Sequence, residues 1–260
     1  MASAGLATGD VASERAAGAT TPARVVVVGA GRMGALVGEL IDKEDGFERV
    51  ATLSSADVGE LDEGLAPADL VIDFSAPEAL AHVAAYVRRT GAALVSGTTG
   101  LDAAQMGEVR ALGEVARVVH ASNFSLGVAV LRRLVAEAAR ALSGFDVEIV
   151  ETHHNQKVDA PSGTAKALLD AVDPQGLDAV AYGREGVVGP RPAHEVGMHS
   201  LRGGTVAGTH TVCFFGTDEE VEFTHRATSR TIFAAGAVAA ARALLAREEG
   251  LYTFEDLMLD

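Results

Sequence analysis

Short β-branched runs alternate along the first half of the chain with stretches of helical spacing. Val25-Val26-Val27-Val28 is apolar at every position, which predicts a strand buried on both faces. Similar runs follow at Arg49–Ser54, Leu70–Phe74, Ala92–Ser96 and Arg117–Ala121. Helical patterns separate them: one reaches about Lys43, one covers Glu78–Arg89 with Pro77 suited to its first turn, and one reaches about Val115. Strand–helix alternation predicts βαβ units and an α/β fold with a doubly wound parallel sheet. The texture changes after Asn123. Helical patterns at Val128–Ser143 and Pro161–Val172 flank a strand at Asp146–Thr152. Extended segments then follow one another at Gly203–Phe215 and Glu220–Thr228, which predicts a second, α+β domain with a mixed sheet. An alanine-rich helix over Thr231–Arg247 closes the pattern.

The 260 residues allow one large domain or two modest ones. Hydrophobic residues at 48 % and charged ones at 22 % fit a globular protein. The net charge of −15 argues against a nucleic-acid backbone or an anionic membrane as the main partner, although a local basic pocket can still hold a small anion. No long apolar run predicts a membrane span. One cysteine excludes an intrachain disulfide framework and fits a reducing, cytoplasmic setting. Residues 1–22, small and polar, carry neither secretory nor transit features and are expected to form a disordered extension.

Gly29-Ala30-Gly31-Arg32-Met33-Gly34 directly follows the valine strand and opens a helix, the context that a dinucleotide site requires. The turn needs a residue without Cβ, the backbone must approach a pyrophosphate, and helix N–H groups must face its charge. The acid that would hold the ribose 2′-hydroxyl is missing from its usual place. Ser54 and Ser55 stand there, Asp57 comes late, and no arginine grips a 2′-phosphate. Both NADH and NADPH are therefore expected as cofactors. Gly97-Thr98-Thr99 and Ala121-Ser122-Asn123-Phe124 end two further strands, where the carboxyl edge of an open sheet lines the ligand crevice.

The most informative stretch is Glu151–Ala165, which sets His153, His154 and Lys157 just past a strand. Pro161 suits a first helical turn, so N–H groups near Ser162, Gly163 and Thr164 would face outward and bind a carboxylate or phosphate. Hydroxyls of Ser162 and Thr164 add donors. An anion clamp with proton-transfer groups beside it is the chemistry this pattern predicts. Other patterns fail. His194–His199 has one residue too many for H-E-x-x-H, no metal site is expected, and no G-x-S-x-G elbow occurs. Cys213 reads as a core thiol and His210 and His225 as structural histidines. Arg202 reads equally as a solvated turn or a contact to substrate or subunit, and Arg230 as a hinge group or an ordinary ion pair.

Taken together, VVVVGAGRMG at Val25–Gly34, IDFSAP at Ile72–Pro77, SGTTG at Ser96–Gly100, ASNFSLG at Ala121–Gly127, the Glu151–Ala165 run and HRATSR at His225–Arg230 resemble the 4-hydroxy-tetrahydrodipicolinate reductase family. The resemblance implies a Rossmann-like dinucleotide domain over residues 23–124 and 231–260. It also implies a substrate and oligomerisation domain over residues 125–230, and a homotetramer. It implies that His153 is a proton donor or acceptor and Lys157 a second proton donor. His154 and Gly163-Thr164 would hold substrate, with Gly29–Gly34, Gly97–Thr99 and Ala121–Phe124 on the cofactor. The substrate would be a small dianionic cyclic imine. Departures fall at Ser54 and Ser55, and the glycine loop is one residue shorter than in some members. Another two-domain NAD(P)-dependent dehydrogenase for an amino acid or semialdehyde, or a non-catalytic nucleotide sensor, are the alternatives.

Overall fold

A computed structural model describes residues 21–259. The extension expected over residues 1–22 lies, through residue 20, outside the described residues. The first half builds β1 (Ala23–Val28), α1 (Arg32–Ile41), β2 (Phe47–Leu53), α2 (Glu60–Glu63), β3 (Leu70–Asp73), a 3₁₀ turn at Pro77–Ala79, α3 (Leu80–Thr90), β4 (Ala93–Ser96), α4 (Ala103–Leu112) and β5 (Arg117–His120). The second half adds α5 (Leu126–Ala141), β6 (Asp146–His153), α6 (Gly163–Val172), β7 (Ala179–Ala181), β8 (Glu195–Arg202), β9 (Gly208–Phe215) and β10 (Glu220–Ala227). It closes with α7 (Thr231–Leu245), β11 (Gly250–Tyr252) and α8 (Phe254–Met258).

One six-stranded sheet, ordered β2-β1-β3-β4-β5-β11, is parallel throughout. The valine run explains why it is covered on both faces. Val25 and Val27 pack into one core with Val37 and Ile41 of α1 and Ala237 and Ala241 of α7. Val26 and Val28 point the other way, against Leu80, Val83 and Val87 of α3 and Leu112 of α4. Capping sets the helix limits. Asp102 and Gln105 form a reciprocal capping box at the start of α4, and Gly91, at φ 72°, ends α3 in the left-handed region. After the second half the chain returns to this sheet through α7 and β11. Close approach is possible because a Cβ on Gly236 would lie only 1.7 Å from the Phe124 carbonyl oxygen.

The second sheet is mixed, ordered β10-β9-β6-β8-β7, with β8 parallel to β6, β7 parallel to β8, and β9 and β10 antiparallel. Leu131 and Val135 of α5 and Leu168 of α6 cover one face, over Ile149, Val212 and Phe214. Two boundaries and one longer strand differ from expectation. Gly203 and Gly204 form a turn, with Gly204 at φ 52°, so the extended segment begins at Gly208. Strand β8 is not evident from sequence because its interior holds Gly197, whose missing Cβ leaves room for the Glu148 carboxylate at 1.8 Å. Pro161 lies before α6, with a cis Ala160–Pro161 bond; Ser162 is the N-cap and Gly163 the first helical residue. This corrects the placement of Pro161 in the first turn.

Candidate active site

Strands β1, β3, β4 and β5 run parallel and end along one edge, which brings the glycine loop, Phe74, Gly97 and Ser122 together. Gly29, at φ 106°, needs a left-handed backbone, and a Cβ there would meet the Phe74 carbonyl oxygen at 2.4 Å. A Cβ on Gly34 would meet the Gly29 carbonyl oxygen at 1.7 Å, so this crossing of strand and helix tolerates only glycine. Gly31 differs: nothing lies within 4 Å of its absent Cβ. It caps α1 without a side-chain hydrogen bond, so the first N–H groups of the helix are left for a ligand. The loop thus fits a pyrophosphate group.

Gly97 lies against the Phe74 ring, 2.3 Å from where a Cβ would stand. The Thr98 hydroxyl is turned inward and donates to Asp73 at 2.8 Å, so it builds the turn while Gly97 and Thr99 line the cleft. Ser54 is committed locally: its Oγ donates to Asp57 Oδ2 at 2.8 Å and accepts from the Ala56 N–H at 3.2 Å. Its N–H also points at Asp57, 3.3 Å away. The late acid therefore sits at the end of β2 after all. Ser55 is exposed beside it.

A cleft of about 800 Å³ runs from this edge to the end of β6 and the start of α6. Met33, Ser122, Asn123 and Phe124 line the side built by the parallel sheet. His153, His154, Lys157, Ser162, Gly163 and Thr164 line the other. Ala30 and Arg32 stay with the glycine loop, and Ala121 is held by a backbone bond to Ser96 at 3.1 Å. Arg32 and Arg230 share a neighbouring pocket of about 390 Å³ with His154. Burial, with the Arg32 charge added, holds the Arg230 guanidinium below its ordinary range. Two cations facing each other across a groove suit an anion between them.

His153 is 8 % exposed, and its Nδ1 lies 2.5 Å from Glu151 Oε2. Glu151 is 0 % exposed and takes two further side-chain bonds from Arg202, at 2.7 and 2.8 Å, and one from the Ser162 N–H at 3.1 Å. Burial alone would raise this carboxyl. The bonds from Arg202 and His153 outweigh it and hold the group at about 2. An ionised carboxylate only accepts, so Nδ1 of His153 carries its proton and Nε2 is the exchangeable position. Gly208 leaves that nitrogen open, since a Cβ there would lie 3.1 Å from it. Burial lowers the imidazole and Glu151 raises it, with a net lowering that favours the neutral ring.

His154 is set differently. Its Nδ1 accepts from the Gln156 N–H at 3.2 Å, which leaves an Nε2–H donor. Lys157 Nζ pairs with Asp159 at 2.7 Å. The Ser162 hydroxyl caps α6 through the Ala165 N–H at 3.1 Å and contacts His210 Nε2 at 3.2 Å. It supports the clamp from behind, and the free donors are the N–H groups of Gly163 and Thr164. Asn123 Nδ2 donates to the Thr164 hydroxyl at 2.9 Å, joining the two sides. Among the described residues no group of His, Cys, Asp or Glu gathers to hold a metal ion.

The sequence assigned Glu151 no role, read His210 as a structural histidine, and left Arg202 between a solvated turn and a contact to substrate or subunit. The signal was there: Glu151 alternates with Ile149 and His153 on the buried face of β6, and a carboxylate in that position demands a cation. Its partners come from neighbouring strands, with Glu151 opposite His210 and His153 opposite Arg202. Arg202 is thus an ion-pair partner of the site and not a solvated turn residue.

Two family profiles cover nearly the whole described chain. "Dihydrodipicolinate reductase, N-terminus" matches residues 23–124 and "Dihydrodipicolinate reductase, C-terminus" matches residues 127–258. A 4-hydroxy-tetrahydrodipicolinate reductase of Alkalilimnicola ehrlichii is 43 % identical over 90 % of this chain and 98 % of its own. That of Halorhodospira halophila is 42 % identical over 89 % and 97 %. The solved dipicolinate-bound dihydrodipicolinate reductase of Paenisporosarcina sp. TG-14 shares the fold, with a TM-score of 0.71 at 22 % identity over 92 % of this chain and all of that one. The chain belongs to the dihydrodipicolinate reductase family.

Proposed function

We propose that this protein reduces 4-hydroxy-tetrahydrodipicolinate to tetrahydrodipicolinate with NADH or NADPH, in lysine and diaminopimelate biosynthesis. One observation carries the reading within this fold. His153 and Lys157 face the same cleft as a donor-rich helix start, opposite strand ends suited to a dinucleotide. A nucleotide sensor has no use for that pair.

The substrate is a dianionic cyclic imine. Gly163 and Thr164 N–H groups and the His154 Nε2–H hold its carboxylates, and Lys157 offsets their charge. Loss of the hydroxyl as water conjugates the ring. When bound, the nicotinamide supplies the hydride that reduces this ring, leaving an electron-rich enamine. His153, through Nε2, and Lys157, through Nζ, supply and recover protons at these steps. Glu151 keeps the His153 ring in the tautomer that allows it.

Coupling the protein to the upstream synthase and following nicotinamide absorbance tests the assignment; absence of substrate-dependent oxidation overturns it. The same assay reads cofactor choice. Asp57 at the end of β2 suits a ribose 2′-hydroxyl better than a 2′-phosphate, so NADH is expected to lead. Without an enclosing site on Ser54 and Ser55, the kcat/KM ratio stays under about a thousandfold, or roughly 4 kcal/mol. A larger ratio contradicts it.

A homotetramer built through the second sheet completes the reading. Helices α5 and α6 cover one face of that sheet. The other carries Thr211 and Thr224, whose hydroxyls meet at 3.0 Å, and Leu201 at 49 % exposure. Light scattering at micromolar concentration is expected to give four times the chain mass; a monomer rules the assembly out. The buried Cys213 thiol, pushed up to about 11 by burial and by Glu222, suits a cytoplasmic enzyme that makes no disulfide.

A further inference from the structure

Three polar residues stand in register across the carboxyl edge of the parallel sheet. Asp73 of β3 is opposite Ser96 of β4, and Ser96 is opposite His120 of β5. Asp73 and Ser96 are 1 % and 0 % exposed, whereas His120 is half-buried and lines the cleft. None of the three has a part in the chemistry above. Asp73 accepts from the Ser75 hydroxyl at 2.5 Å, the Ser75 N–H at 3.1 Å and the Thr98 hydroxyl at 2.8 Å. Ser96 Oγ lies 3.5 Å from Asp73 Oδ2 and 3.3 Å from His120 Nδ1.

The direction of this chain follows from its acidic end. Burial raises the Asp73 carboxyl, but two hydroxyls and an N–H donate to it, the pattern of an ionised acceptor; a Ser96 proton directed at it leaves the Ser96 lone pairs facing His120. In that arrangement Nδ1 of His120 is the protonated nitrogen and Nε2 the acceptor. Burial lowers the His120 imidazole, with the Asp73 charge opposing, which favours the neutral ring.

An acceptor on the cleft wall repels a dicarboxylate and attracts an N–H donor. Among the groups that the proposed reaction brings here, the nicotinamide carboxamide offers such a donor. We propose that His120 is a cofactor-positioning residue whose Nε2 accepts the carboxamide N–H, with Ser96 and Asp73 fixing the ring's tautomer. The inference rests on the reductase reading for its ligand, while the tautomer stands on the chain's own hydrogen bonds.

Calorimetry with NADH and with ADP-ribose, which lacks the nicotinamide, tests it on the full chain. Replacing His120→Phe is expected to weaken NADH about three- to tenfold, the range for one neutral hydrogen bond, and to leave ADP-ribose within about twofold. His120→Gln, which keeps an acceptor, restores most of the loss. Equal weakening of both ligands, no weakening of NADH, or no rescue by glutamine overturns the proposal. Nitrogen-15 correlation spectra of the histidine-labelled protein should show His120 as the Nδ1–H form, shifting toward the other tautomer in Ser96→Ala; an Nε2–H ring in the parent protein also overturns it. Failure of the unsubstituted protein to bind NADH at all would instead refute the reductase reading.

Discussion

His153→Gln and Lys157→Ala each lower kcat by about 10²-fold or more, the loss expected when a general acid or base is removed. The expectation rests on geometry. His153 is pinned through Nδ1 to Glu151 at 2.5 Å, so its one free nitrogen meets the cleft beside the open face of Gly208. Glutamine can keep a hydrogen bond to Glu151, so the packing survives while proton exchange does not. Lys157 stands on the loop before α6, held by Asp159 at 2.7 Å, and its loss removes both a proton and a charge facing the dianion. It should therefore raise KM for the substrate as well as lower kcat, whereas His153→Gln acts on kcat alone. NADH affinity stays unchanged in both. Steady-state kinetics on folded variants decide the matter, and turnover like that of the unsubstituted enzyme in both removes them from the mechanism.

Glu151→Gln is the second large effect, and it strikes stability and turnover together. Its carboxylate is 0 % exposed and bonds Arg202 through both oxygens. Removing its charge leaves the Arg202 guanidinium, 21 % exposed, with the Asp159 charge left near it, at a cost of about 2 kcal/mol. The amide can also donate to His153 and favour the wrong tautomer, so kcat falls beyond what the stability loss explains. The pH dependence has a definite sign. The carboxyl is held at about 2, well below the ordinary 4.5. Its contribution is therefore complete above pH of about 4.5 and is lost as pH falls toward about 2. Melting temperatures across that interval should drop less steeply in the variant. Identical slopes, or an unchanged melting point at neutral pH, would refute the role assigned to this carboxylate.

The sheet of the first half was legible because its strands are buried on both faces and its helices carry distinct caps and periods. Tetravaline at Val25–Val28 admits hardly any other placement. Strands β7 and β11, with three residues each, leave too little periodicity to recognise. Strand β8 hides behind a glycine and alternating polar residues whose partners lie on other strands. The site divides in the same way. His153, His154, Lys157, Gly163 and Thr164 share one local run, so their assembly needed no long-range information. Arg202 and His210 reach Glu151 through strand pairing alone, and no spacing in one sequence encodes which strands become neighbours. Asp57 shows a smaller version of this: three residues late along the chain, its carboxylate still folds back onto Ser54.

The bond from Asn123 to Thr164 reaches from the loop after β5 to the first turn of α6, across the two sides proposed to hold nucleotide and substrate. On the proposed reading, a ligand that orders this loop would also order the start of α6, so coupling between the two halves is an expected outcome. By thermodynamic reciprocity, any such coupling acts on both ligands by the same factor. A mimic of the dicarboxylate would then be held more tightly by enzyme already charged with nucleotide than by the bare protein. Inhibition by such a mimic that deepens as nucleotide rises is the expected kinetic result, and inhibition indifferent to nucleotide would show that the bond carries no coupling.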